Sequence, residues 1–308
     1  MITYSIGLKN KFRGITVREG MLYEGPAGWA EWSPFLDYDD ATCVSWLRAA
    51  REAAEDGWPA PVREYVPVNC TVPAVGPTKA AEIVRASGCS TAKVKVAEPG
   101  QTLADDLERV EAVRDAIGSG QVRIDANGLW SVDQAVKNLK ELQRFDLEYV
   151  EQPCATVEEL ADVRRRTGVP VAADESIRRA EDPLRVKKLD AADIAVLKVQ
   201  PIGGVRACLD IAEQIGLPVV VSSALETSVG IAAGVALAAA LPELPYACGL
   251  ATVSMFTREV VAEPLLPVNG FLPVKRVAPD PELLQAAQAD AERTQVWEER
   301  LSRVRSAG

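Results

Sequence analysis

No histidine occurs anywhere among the 308 residues. That absence removes Ser-His-Asp and Cys-His catalysis, histidine-ligated zinc and histidine general bases. Acid–base work must then fall to carboxylates, lysines, tyrosines or cysteines. Cysteine is sparse: Cys43, Cys70, Cys89, Cys154, Cys208 and Cys248 are scattered, with no CxxC pair. Such spacing gives neither a zinc site nor a disulfide framework and leads to the expectation of a reducing cytoplasm. The N-terminus shows no basic-then-apolar signal pattern. Long apolar runs are missing as well. The longest, Val229 to Leu241, covers 13 residues before Pro242; it is too short to span a bilayer and reads as a buried helix of small residues. Positive charge is also in deficit, with 34 Lys and Arg against 44 Asp and Glu, a net charge of −10. That balance argues against nucleic acid or an anionic membrane as partner. A small anionic substrate stays compatible, because it responds to the local field of a site.

What is present is an ordinary globular balance, 48% apolar and 25% charged. The length accommodates a barrel of roughly 200 to 250 residues with some left over. The first sixty residues read as strands over Ile2 to Leu8 and Ile15 to Glu24, then a helical stretch from Asp40 to Gly57, a small α+β unit. From about Glu64 short β-branched runs alternate with helical segments. The runs are Val66 to Val72, Thr91 to Val96, Gln121 to Ala126, Leu147 to Glu151, Val169 to Ala173, Ile194 to Val199, Pro218 to Ser222 and Tyr246 to Leu250. Helices are expected between them, among others over Thr78 to Ser87, Leu103 to Ile117, Ser131 to Leu142 and Gly204 to Ile215. Eight strands alternating with seven helices predict a (β/α)7β TIM-like barrel. The expected division is an α+β capping unit over 1–62, a barrel over 63–250, and a C-terminal segment over 251–308 that completes the cap. In that last segment, strand-like pieces near Val261 and Pro267 to Pro273 return to the N-terminal unit, and a solvated helical tail starts at Pro281.

In such a barrel the residues at strand C-termini face the site. Asp125, Glu151, Asp174, Lys198 and Ser222 follow one another at intervals of 23 to 26 residues, about one βα unit each. Three carboxylates are thereby placed side by side and repel one another unless a cation stands among them; oxygen donors suit Mg²⁺, with Mn²⁺ as a substitute. Lys93 and Lys95, two apart on one strand, project to the same side. Two ammonium groups that close should lower at least one lysine pKa towards that of a useful base. Lys198 arrives from across the barrel. A metal beside opposed lysines suits removal of a proton α to a carboxylate, where the cation neutralises developing charge. Singly, each residue has a plain structural explanation, such as an Asp capping a helix or a lysine on a solvated strand. All of them together, in strand-end phase, do not. Gly203 and Gly204 read as turn geometry whose amides could also hold an anion.

At these positions the sequence resembles the enolase superfamily, in its muconate-lactonizing-enzyme-like subgroup. The resemblance rests on KVK at 93–95, DANG at 125–128, EQP at 151–153, ADES at 173–176, LKVQPIGG at 197–204 and SSALETSVG at 222–230. FRGITVREG at 12–20 and GWAEWSPFLDYDDA at 28–41 extend it to the capping unit and favour a dehydratase of menaquinone biosynthesis. That likeness implies Asp125, Glu151 and Asp174 as Mg²⁺ ligands. It implies a lyase in which Lys95 removes the α-proton of 2-succinyl-6-hydroxy-2,4-cyclohexadiene-1-carboxylate and then assists loss of the hydroxyl on the same face. Lys198 would stabilise the enediolate and Lys93 would tune Lys95. Ser222, Ser223, Gly249 and Arg13 would lie near the small carboxylate substrate. An N-acylamino-acid racemase or dipeptide epimerase of the same subgroup is the alternative, since these keep both lysines. The capping surface shows no apolar stripe of its own, which leaves the oligomeric state open.

Overall fold

The computed structural model describes residues 1–178 and 183–308. It begins with an antiparallel sheet, β1 (Ile2–Phe12), β2 (Ile15–Gly25) and β3 (Gly28–Trp32), in that order. Arg13 and Gly14 form the tight turn between β1 and β2, with φ of 49° and 80°. A two-residue hairpin loop matched to strand twist needs positive φ, which glycine supplies without cost. A helix over Asp40–Arg51 follows, its N-terminus capped by Asp39, which accepts from the Thr42 amide at 2.8 Å.

Next come β4 (Tyr65–Pro67) and a parallel sheet whose seven strands run in chain order: β5 (Cys70–Val72), β6 (Thr91–Lys95), β7 (Gln121–Asp125), β8 (Leu147–Glu151), β9 (Val171–Ala173), β10 (Ile194–Leu197) and β11 (Val219–Val221). Helices over Pro77–Ser87, Leu103–Ile117, Val132–Leu142, Val157–Arg166, Val205–Ile215 and Ser228–Ala240 return the chain between strands. Thr102 with Asp105, Ser131 with Gln134 and Thr156 with Glu159 form capping boxes that start three of them. The last helix, over Ser228–Ala240, is buried along nearly its whole length, as its small apolar residues require. No helix among the described residues is long and apolar enough to cross a membrane.

Two expected strands turn out differently. Val66 to Val72 divides into β4 and β5, because β4 pairs antiparallel with β12 (Phe271–Pro273) rather than continuing the barrel wall. Tyr246 to Leu250 does not form a ladder. It contributes two single parallel bridges, Val68 to Cys248 and Ser222 to Gly249. A barrel strand bonds alternately to either neighbour, and here one residue serves each side. Cys248 exchanges bonds with Pro67 and Asn69 (2.7 and 2.9 Å), and Gly249 with Val221 and Ser223 (2.8 and 3.1 Å). The wall closes through those four bonds. A Cβ on Gly249 would stand 2.7 Å from Ser222 Oγ, so any larger residue there would have to displace that hydroxyl.

The apolar interior falls into two main clusters. One lies between the barrel wall and its helices; the other joins the N-terminal sheet and the 40–51 helix to residues from Met255 to Val304. The returning segment therefore behaves in two ways. β12 joins β4 at the barrel, whereas Val261 and the tail pack on the N-terminal unit. The tail helix, Ala291–Ala307, is not the solvated element that its charge suggests. Trp297, Arg300, Leu301 and Val304 form a buried stripe at helical spacing. Trp297 stacks edge-on against Trp32, with centroids 5.5 Å apart. Arg300 donates to the carbonyls of Pro34, Phe35 and Tyr38 at 2.7 to 3.0 Å, pinning the loop after β3.

Charged side chains from the N-terminal unit reach into the barrel. Arg18 donates to the carbonyls of Leu225 (2.8 Å) and Ala224 (3.3 Å). Glu31 accepts from Tyr4 OH (2.7 Å) and from the Thr227 and Gly230 amides (3.0 and 3.2 Å). Glu226 is buried beside them. Burial, then the charge of Glu31, pushes its carboxyl up to about 7 from 4.5. A carboxyl whose folded pKa is raised contributes stability below its unfolded pKa and loses it as pH climbs through the folded one. Glu226→Gln is therefore expected to stabilise the protein by about 1–3 kcal/mol at pH 8 and by almost nothing at pH 5. Denaturant midpoints at the two pH values check this; an equal shift at both would refute it.

Candidate active site

The parallel register sets the site. Lys95, Asp125 and Glu151 end β6, β7 and β8 and are direct neighbours across the ladders. Asp174 and Lys198 directly follow β9 and β10. All five stand at the C-terminal rim, with Lys93 one inward-facing position deeper on β6. Asp125, Glu151 and Asp174 are at most 1% exposed.

Each carboxylate meets an ammonium. Lys93 Nζ lies 2.7 Å from both oxygens of Glu151 and 3.4 Å from Asp125. Lys95 Nζ donates to Asp125 at 2.6 Å and to Asn127 Oδ1. Lys198 Nζ donates to Asp174 at 2.7 Å. In this arrangement no three acidic or cysteine side chains among the described residues converge as a ready metal-binding group. The electrostatics are uneven. Burial opposes the charge of Asp174, but Arg178 and Lys198 outweigh it and bring the carboxyl down to about 2. Asp125 is held below the usual range by Lys95 and Lys93 against the same burial. Glu151 goes the other way, up to about 7, through burial and then repulsion from Asp125. The expected fall in lysine pKa is not found at Lys93. Burial works against its charge, yet Glu151 and Asp125 prevail and hold it well above the ordinary lysine value. The sequence argument weighed the neighbouring ammonium but not the two carboxylates facing it.

The cavity at the rim is lined by Lys93, Lys95, Asp125 and Lys198 from the barrel, and by Phe12, Arg13 and Phe35 from the N-terminal unit. Ser222, Ser223 and Gly249 line it too, so the residues expected near substrate all reach one space. Ser223 Oγ is 2.8 Å from Thr252 Oγ1. Arg13 stacks over Phe35, 4.0 Å from the ring centre, and pairs with Asp37 at 3.1 Å. Phe12 faces Lys95 at 5.3 Å. Gly203 and Gly204 hold no free anion site. Glu52 fills the start of the following helix, accepting from the Val205 and Arg206 amides at 2.5 and 3.1 Å.

Two supporting residues escaped the sequence reading. Gln152, fully buried with φ of 40°, accepts from the Asp174 and Ser176 amides (3.0 and 3.1 Å) and donates to Cys154 O and Ser176 Oγ (2.9 and 2.7 Å). It locks β8 to the residue after β9. Arg178 donates to Asp174, Glu175 and Tyr38. Gln152 stood inside a quoted motif; Arg178 lies two residues beyond one, and its signal was the helical spacing to Asp174 and Glu175.

Known proteins bear on this geometry directly. Residues 77–279 match the enolase C-terminal domain-like family and residues 3–54 the enolase N-terminal domain-like family. The o-succinylbenzoate synthase of Thermobifida fusca (strain YX) is 64% identical over 305 residues, covering 99% of this chain and 95% of that protein. That of Mycobacterium tuberculosis (strain H37Rv) is 56% identical over 299 residues, covering 96% and 91%. The chain belongs to the o-succinylbenzoate synthase family of the enolase superfamily. It is thus an enzyme of that superfamily. Solved structures share the fold at lower identity. Muconate lactonizing enzyme from Pseudomonas fluorescens, complexed with muconolactone, aligns with a TM-score of 0.80 at 20% identity, covering 94% of this chain and 97% of that one. N-succinyl Arg/Lys racemase from Bacillus cereus ATCC 14579 aligns at 0.78 and 19%, covering 94% and 96%.

Within this family site, Gln152 is the test of whether the rim is held from behind. Gln152→Ala leaves two buried amides and a carbonyl without partners, each costing about 1–3 kcal/mol. The variant is expected to lose roughly 2–4 kcal/mol in urea unfolding, and a loss under 0.5 kcal/mol would show that the rim holds itself.

Proposed function

We propose that the protein is a metal-assisted dehydratase converting 2-succinyl-6-hydroxy-2,4-cyclohexadiene-1-carboxylate to 2-succinylbenzoate. The observation that carries this reading is the set of three buried carboxylates on neighbouring strand ends, with Lys95 and Lys198 at the same cavity from strands four apart. The donor set fits a hard divalent cation, Mg²⁺ or Mn²⁺: three carboxylates, no sulfur or imidazole, and a Glu151 whose carboxyl is pushed up by burial and by Asp125. A cation held by Asp125, Glu151 and Asp174 would supply positive charge at the substrate carboxylate.

Lys95 Nζ takes the α-proton, and the C–H electron pair moves into the ring system. The C–O bond to the ring hydroxyl then breaks on the same face, with the Lys95 proton leaving in water. The ring becomes aromatic, which draws the elimination forward. Lys198, facing from the opposite wall, balances the negative charge that develops on the carboxylate. Lys93 holds Glu151 in place. Arg13, Ser222, Ser223 and Gly249 bound the space for the succinyl arm. We infer a division into a cap of 1–62 and 251–308 and a barrel of 63–250; the packing of Met255, Val261 and the tail on the N-terminal unit supports it, whereas Leu265 and Leu272 pack with the barrel. The cysteines, all six free and buried, support a reducing cytoplasmic setting.

Opposed lysines also suit two-base racemisation of N-acylamino acids, and the two readings separate in one experiment. With the cyclohexadiene and Mg²⁺, wild type should remove the diene absorbance. Lys95→Ala should be slower by at least about 10²–10⁴, the usual weight of a general acid–base group, and excess chelator should stop turnover. A folded, Mg²⁺-supplied wild type that leaves the diene untouched, yet exchanges the α-proton of N-acylamino acids in deuterated water, would displace the dehydratase reading.

A further inference from the structure

Arg178 is the last residue of the short helix Glu175–Arg178 that follows β9, and its side chain is 8% exposed. Its guanidinium is used in three directions. Nε donates to Asp174 Oδ1 at 2.8 Å, Nη2 to Glu175 Oε1 at 2.6 Å, and Nη1 to the Tyr38 hydroxyl at 2.9 Å. Lys198 takes the other oxygen of Asp174 at 2.7 Å. At the far end, Tyr38 belongs to the loop after β3. Its hydroxyl also receives Arg13 Nη2 at 3.3 Å, and its ring packs edge-on against Phe35 and Trp46, each with centroids 5.9 Å away. Phe35, Trp46, Arg13 and Arg178 all line the catalytic cavity. A continuous chain thus runs from the cap loop through Tyr38 and Arg178 to one oxygen of a rim carboxylate.

We propose that Arg178 is a positioning residue that couples the seating of the cap loop to cation binding at Asp174. The inference rests on the reading of Asp174 as a metal ligand. Nε holds Oδ1 while the other two nitrogens anchor the guanidinium on Glu175 and Tyr38, and Oδ2 faces the site, where Lys198 Nζ meets it at 2.7 Å. The guanidinium is itself oriented by the Tyr38 hydroxyl, which accepts from Nη1 at 2.9 Å. Partners behind a metal ligand commonly govern affinity by about 10–100-fold through such orientation. Linkage is reciprocal: if Mg²⁺ binding favours the seated loop, then a seated loop favours Mg²⁺ by the same factor. Arg178 also carries positive charge beside the ligand, and its removal alone would tighten Mg²⁺ binding. Orientation and charge therefore make opposite forecasts, which makes the experiment decisive.

The test is Mg²⁺ titration by calorimetry on the full chain without substrate, for wild type, Tyr38→Phe, Arg178→Lys, Arg178→Met and Asp174→Asn. Tyr38→Phe keeps the ring packing and is the variant least able to disturb folding. The expected result is a loss of Mg²⁺ affinity of about tenfold or more in both Arg178 variants and of about threefold or more in Tyr38→Phe. In the Arg178→Met background, Tyr38→Phe should add nothing further. In steady state Tyr38→Phe should raise the Mg²⁺ concentration giving half-maximal rate, with kcat at saturating Mg²⁺ changed less than twofold. Unchanged or tighter Mg²⁺ binding in the folded Tyr38→Phe and Arg178→Lys proteins overturns the proposal. A wild type that binds no Mg²⁺, or an Asp174→Asn protein that binds it as well as wild type does, overturns the metal-ligand reading and the proposal with it.

Discussion

Three carboxylates buried at adjacent strand ends of a barrel cannot remain there on packing alone. Desolvation and mutual repulsion both favour protonation, and low dielectric makes every nearby charge count more than it would in water. The protein meets this constraint with cations at matched depth. Lys93 lies between Glu151 and Asp125, Lys95 bonds Asp125, and Lys198 and Arg178 divide the oxygens of Asp174. The site is thus a nearly neutral cluster whose members need one another. Glu151, with the least compensation for its burial, is the one pushed up to about 7. Burial first, and Asp125 beside it, set that difference.

The barrel rim and the cap share a second dependence. The loop over 33–39 forms part of the cavity, and polar groups of the tail, the barrel and the N-terminal sheet hold it. Arg300 takes three of its carbonyls, Gln200 accepts from the Ser33 amide at 3.1 Å, and Arg18 bridges from β2 to the loop after β11. Glu52 enters from the N-terminal unit to satisfy the start of the helix over Val205–Ile215. Buried polar groups left without these partners would each carry a desolvation cost. The cap therefore sits on the barrel through directional bonds as well as apolar contact, which fixes Phe35 at the cavity wall and Tyr38 against Arg178.

The alternation of β-branched runs with amphipathic helices and the strand-end phase of Asp125, Glu151, Asp174 and Lys198 were fully legible in the chain. Parallel register converts a regular spacing in sequence into adjacency in space, so those residues had to meet. The missing histidines had already left acid–base chemistry to carboxylates, lysines, tyrosines and cysteines. Other features were beyond local reading. The run Tyr246 to Leu250 looked like a strand, yet barrel closure needed only Cys248 and Gly249. The tail looked solvated because its charged residues mask the stripe of Trp297, Leu301 and Val304. Gln152 reaches Asp174 and Ser176 across more than twenty residues, and Arg178 joins Asp174 and Glu175 at helical spacing but also Tyr38 on the N-terminal unit, a partner that spacing does not reveal. Sequence by itself determined which residues stand at the rim, because that follows from strand period and strand order. Only the tertiary structure decided which oxygen faces which ammonium, how the wall closes and what holds the cap loop, because those depend on side-chain partners that chain spacing does not encode.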